Sequence, residues 1–162
     1  MADFKKFVAA TNFTTDAEKF GWSIVQLDVT NFEILWGIDW RCPDGRNYAR
    51  PNEPVRQVSY NDALAYAAWS HTEIPSYETY WTYEDSDKRP RNVSSTAILD
   101  ASQVNIVGNV WELTLIDKQE RVRLAGGSYL CDKNTCNGSR KDRVLYVDQY
   151  TGNSHIGFAV LQ

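Results

Sequence analysis

Cys131 and Cys136 lie five positions apart, just after a Gly126-Gly127-Ser128 turn, in a chain with three cysteines in all. Thiols at this spacing can close a disulfide, supply half of a zinc site, clamp a soft metal, or pack as inert side chains. Four intervening residues let a strand end and a loop bring two sulfurs together. Zinc wants four ligands, and only Cys42, His71 and His155 remain to help, at no recognisable spacing. A Cys131–Cys136 disulfide is sterically open as an oxidised resting form, although structural disulfides are unusual in the cytosol. Ser128 precedes Cys131 by three residues. No His or acid stands at a spacing that suggests a hydrolase triad, so Ser128 is not read as a nucleophile. A turn serine bonding to backbone is its plainer role.

The elements that must position these groups are short. The spacing of Phe4, Phe7 and Val8 predicts an amphipathic helix over Asp3 to Ala10. Thr14, Thr15 and Asp16 offer an N-cap for a second helix over Ala17 to Phe20, stopped at Gly21. Trp22 to Leu27 reads as a strand, and Ile38 to Gly45 ends in a turn. Ser59 followed by Asp62 caps the best helix of the chain, with Ala63, Leu64, Tyr66, Ala67 and Trp69 at helical spacing. Pro75 opens a further helical run, Ser76 to Tyr83, with Glu78 in its first turn. Asp85 to Ser95 is polar and reads as loop. Strands are expected within Val107 to Leu115, Arg121 to Leu130 and Gly157 to Leu161. Helices first and short strands later predict an α+β domain of irregular build, a single domain over residues 1–162.

Composition removes several function classes. The net charge of −4 and the lack of a Lys/Arg run argue against a nucleic-acid binder. The apolar runs are too short for a membrane span. The opening MADFKKFVAATNF has no apolar stretch of the secretory type, which predicts a cytoplasmic protein.

Read for its motifs, the chain resembles the formylglycine-generating enzymes, or sulfatase-modifying factors. The similarity runs in order through Phe7 to Ser23, Gly37-Ile-Asp-Trp-Arg-Cys-Pro-Asp-Gly45, Pro54 to Trp69, and more loosely Ile74 to Trp81. It continues in Asn105-Ile-Val-Gly-Asn-Val-Trp-Glu-Leu-Thr114, Gly126-Gly-Ser-Tyr-Leu-Cys131 with Cys136, and Ser154-His-Ile-Gly-Phe158. The resemblance implies a C-type-lectin-like α+β fold with little regular structure.

It also implies that Cys131 and Cys136 hold Cu(I), a soft ion that two thiolates satisfy in a near-linear arrangement. Ser128 would then stand beside the sulfurs, and a cysteine of a peptide or protein substrate would be oxidised with O2 to formylglycine. The motif around Asn105 implies one structural Ca2+, held by the side chains of Asn105 and Glu112 and the carbonyls of Gly108 and Val110, a hard-oxygen set. Without an ion the same residues make a hydrogen-bonded turn. Trp111 is either a core anchor or a wall of the active-site cleft. Cys42 is read as structural. Arg140, Ser154 and His155 flank the site. The family often has Asn where this chain has His155, which reads as a surface residue, an extra copper ligand or a proton donor.

Two departures stand out. The chain begins where the family is well under way, and its stretch between Tyr83 and Asn105 is much shorter than usual. Loss of groove elements suits an alternative reading, a non-catalytic binding module on the same fold.

Overall fold

The computed structural model describes residues 1–86, 107–131 and 140–161. Four helices precede most of the strands. Helix α1 (Ala2–Thr11) buries Phe4 and Phe7 and ends at Asn12 in the left-handed conformation. Helix α2 (Asp16–Phe20) starts with a reciprocal capping box between Thr15 and Glu18 and stops at Gly21, also left-handed. Helix α3 (Tyr60–Ser70) repeats the device with Ser59 and Asp62. Helix α4 (Tyr77–Ser86) carries the buried Tyr77, Tyr80 and Trp81. All four agree with the periodicity, except that α4 runs on through Asp85 and Ser86, which the sequence suggests as loop.

Strands β1 (Trp22–Gln26) and β2 (Phe32–Trp36) form an antiparallel hairpin. The remaining strands are β3 (Trp111–Leu113), β4 (Val122–Ala125), β5 (Tyr146–Val147) and β6 (Ile156–Gly157). They make a sheet of order β5-β4-β3-β6, in which β3 pairs antiparallel with β4 and parallel with β6. The strands expected within residues 22–27, 107–115 and 121–130 are therefore present but shorter, because turns take the flanking residues, whereas the one expected over residues 157–161 is met only at Gly157, in β6. Strands β2 and β5 were not expected at all.

Side chains alternate across a strand. Trp111 and Leu113 of β3 therefore face one way, into a core with Val122, Leu124 and Ile156 that α3 covers through Tyr60, Ala63 and Ala67. Glu112 faces the other way. A second cluster joins Phe4 and Phe7 of α1 to Trp40, Val55 and Val58, with Tyr66 and Phe158 against it. The third sets Tyr77, Tyr80 and Trp81 of α4 on Val107 and Ala125. The helices thus hold β3 and the two loops that flank it in a fixed frame.

Candidate active site

Two glycine-containing loops meet at the start of β3. Gly108, Gly126 and Gly127 have φ of 96°, 85° and 73°, a region other residues enter only with strain. The Gly108 N–H donates to the Gly126 carbonyl at 2.9 Å, and the Tyr129 N–H to the Asn109 carbonyl at 2.8 Å. The Trp111 N–H donates to the His155 carbonyl at 2.9 Å. These bonds bring together three motifs that are far apart in the sequence.

Their meeting point is a cavity of about 240 Å³, whose lining includes Gln26, Trp111, Ser128, Cys131, Arg143 and His155. Ser128 is fully buried there. Its backbone N–H donates to the Cys131 sulfur at 3.4 Å, and its hydroxyl lies 4.0 Å from that sulfur. The same oxygen accepts the Leu130 N–H at 3.3 Å and lies 3.3 Å from His155 Nδ1. Burial pushes the His155 pKa down to about 4, so the ring is neutral at pH 7. The Ser128 hydroxyl and the neutral imidazole share this hydrogen bond, whose direction is set by the ring tautomer. The wall opposite is Trp111, with the Arg143 guanidinium 5.4 Å from its ring centre.

Cys131 is disulfide-bonded and Cys42 is free. Cys136 lies outside the described residues. The Cys131 environment nevertheless suits a thiolate once the bond is reduced. A backbone N–H aimed at sulfur favours the anion, the form that a soft ion takes. Copper therefore fits the donors present.

Of the residues named for calcium, Glu112 lies on the opposite face of β3. Val110 and Glu112 border a second cavity, of about 340 Å³, together with Asn109, Glu53 and Phe158. Gly108 precedes them in the same turn. A carboxylate and turn carbonyls are hard donors of the right kind, and Asn105 lies outside the described residues. Among the described residues no three His, Cys, Asp or Glu side chains converge as a metal-binding group; each of the two ion sites has one of its named ligands outside them.

Sequence reasoning misplaced, missed or left open three groups. His155, left open between a surface and a site role, is half-buried against Ser128. Arg140 is exposed and paired with Asp142 at 2.6 Å, away from the cavity. Arg143, which the motifs did not single out, lines it instead. No local signal marks Arg143 or the burial of His155; both follow from where β5 and β6 dock on the sheet. Trp111 serves both expected roles, as core anchor and as cavity wall. Ser154 is buried, and its hydroxyl accepts the Gln26 N–H at 2.8 Å, which ties β1 to the His155 segment.

Comparison with known proteins agrees with this arrangement. The family model of the sulfatase-modifying factor enzyme 1-like domain matches residues 1–84, just over half of the chain. The formylglycine-generating enzyme of Mus musculus is 29% identical over 210 aligned positions, which cover 83% of this chain and 56% of that protein. That of Thermomonospora curvata is 28% identical over 233 positions, covering 96% of this chain and 76% of that protein. The inactive C-alpha-formylglycine-generating enzyme 2 of Bos taurus is 34% identical over 97 positions, 48% of this chain and 32% of that protein.

The chain belongs to the formylglycine-generating enzyme, or sulfatase-modifying factor, family. It spans little more than half the length of the mouse relative. The alignment with the Thermomonospora protein is longer than the 162 residues of this chain, so it opens gaps here, in keeping with the shortened segments noted in the sequence. Among the described residues no helix is long and apolar enough to cross a membrane.

Proposed function

We propose that this chain adopts the C-type-lectin-like variant of the α+β fold and oxidises a cysteine of a peptide or protein substrate to formylglycine. The names of its relatives support the reaction class. The observation that carries the reading is the Ser128 hydroxyl, held between the Cys131 sulfur and a neutral His155 in one cavity.

Cys131 and Cys136, reduced, would hold Cu(I), and the bound ion would supply the one-electron and O2 chemistry that side chains lack. The Ser128 backbone N–H orients the Cys131 sulfur and favours its anion once reduced. His155, neutral and fixed by Ser128, is placed to hold or pass a proton at Nε2. Trp111 and Arg143 wall the cavity. The overall change balances. The substrate Cβ loses two electrons and its sulfur leaves as sulfide, with water giving the aldehyde oxygen. Reduction of O2 to water takes four electrons, so an external thiol-type reductant supplies the other two. Asn105, Glu112 and the carbonyls of Gly108 and Val110 would hold one structural Ca2+ behind β3.

The test is a cysteine peptide incubated with copper, O2 and a thiol reductant, the aldehyde being trapped with a hydrazide. Product with the parent protein and none with Cys131→Ser is expected. Equal product from both would remove the reading. The shortened stretch between Tyr83 and Asn105 suits a second reading, a non-catalytic module, which a relative named inactive also represents; tight peptide binding without oxidation by copper-loaded protein would establish it.

A further inference from the structure

The β1–β2 hairpin reverses the usual patterning of a surface sheet. The register pairs Trp22 with Trp36, Ile24 with Ile34 and Gln26 with Phe32, so these six side chains share one face. Ser23, Val25 and Leu35 turn inward, where Ser23 and Val25 are buried. The outward face should be polar. Instead it is uncharged and largely apolar, with Phe32 56%, Ile34 54% and Trp36 77% exposed. Phe20 extends it, stacked on Trp22 at 6.0 Å. The free side of β1 is taken: the Ser154 N–H donates to the Ile24 carbonyl at 3.0 Å. Among the described residues no strand pairs with the outer edge of β2.

We propose that this face is the interface of a two-fold dimer of the chain, two hairpins packed face to face. Area supports a second copy as the occupant. With aromatic side chains of about 150–250 Å² each, the exposures leave roughly 500 Å² of apolar face per copy. Two faces together reach about 1,000 Å², the lower bound for a specific interface and the size of a weak, concentration-dependent dimer. The layout is also self-complementary. A two-fold axis through the Ile24–Ile34 pair lays the Trp36 end of one face over the Phe32 end of the other, aromatic on aromatic, as an isologous contact requires. None of the six residues carries a charge, so the copies meet without repulsion between like charges in the contact. Gln26 and Val29 of the same hairpin line the candidate cavity. Association would stiffen that wall without adding a residue to it. The proposal is independent of the oxidase reading, because it needs neither metal nor substrate.

The experiment is light-scattering mass across a micromolar concentration series for the parent protein, Ile34→Lys, Trp36→Gln and Val144→Lys. Val144 is an exposed apolar residue, 61% accessible, outside the hairpin. The parent and Val144→Lys should reach twice the chain mass. Ile34→Lys and Trp36→Gln should stay at one chain mass with an unchanged far-ultraviolet circular dichroism spectrum. A parent that is monomeric throughout overturns the proposal, whether or not the face then proves to take an unlike partner. So does a dimer that survives both hairpin variants. Should Ile34→Lys unfold, Trp36→Gln decides alone, because that side chain is already mostly in solvent.

Discussion

The Asp62 carboxylate accepts the backbone N–H of Asp16 at 3.0 Å while its other oxygen accepts the N–H of Ser59 at 2.9 Å. One side chain thus closes the first turns of α2 and α3 and clamps the two helices together. Ser59 in turn donates its hydroxyl to Asp16 at 2.7 Å, and Lys19 pairs with the same carboxylate at 2.9 Å.

That arrangement sets a pH dependence. Burial, with the Asp16 charge adding to it, pushes the Asp62 pKa up to about 6 from 3.8, against the pull of the two N–H donors. Between these values the folded state keeps a proton that the unfolded chain has lost, so stability falls as pH rises through the window and stays lowered above it. A shift of about two units is worth about 3 kcal/mol. His155 acts oppositely: with its pKa pushed down to about 4, acidification below 6.5 costs stability. The two contributions mask each other in the parent. The difference in urea-unfolding free energy between Asp62→Asn and the parent isolates the first. It should shift in favour of the variant as pH rises from 4 to 7, by about 3 kcal/mol at most. A difference constant with pH would contradict the raised pKa.

Ser128 links sulfur and imidazole, and its removal should be felt at both. Ser128→Ala should weaken Cu(I) binding to the reduced protein by on the order of 10–100-fold, as the loss of an outer-shell partner does. Anaerobic titration against a chelator of known affinity measures it. In the parent the same titration should reach one Cu(I) per chain, and Cys131→Ser should abolish it.

Glu112 offers a check on the other face of β3. Ca2+ should raise the melting temperature of the parent and leave Glu112→Gln unmoved, since a ligand that binds only the folded state stabilises by mass action. An equal rise in both would remove Glu112 from the calcium site.

Two glycines separate crowding from backbone strain. A Cβ on Gly157 would sit 2.4 Å from the Val55 carbonyl oxygen, whereas one on Gly37 meets nothing within 4 Å but occupies φ of 73°. Gly157→Ala should cost about 1–3 kcal/mol by overpacking against backbone. Gly37→Ala should cost about 1 kcal/mol through conformation alone. Thermal melts of both variants test the order.

Sequence by itself determined what depends on near neighbours. The boxes Thr15–Glu18 and Ser59–Asp62 join groups three residues apart, and helix periodicity repeats within a turn, so α1, α2, α3 and the start of α4 were legible. The glycines of the two site loops and the ordered motifs also marked the family. Strand β2 was not legible, because Phe-Glu-Ile-Leu-Trp lacks the polar–apolar alternation that marks a half-buried strand, and its outward residues are apolar. The pair of residues in β5 is too short to leave any pattern.

Only the tertiary structure decided the candidate site. Ser128 and His155 are 27 residues apart and meet because β6 pairs with β3. Arg143 rather than Arg140 reaches the cavity because of where the chain enters β5. Local hydrogen bonding is written in short spacings, whereas burial and convergence depend on which strands dock side by side, and that is set by the packing of the whole core.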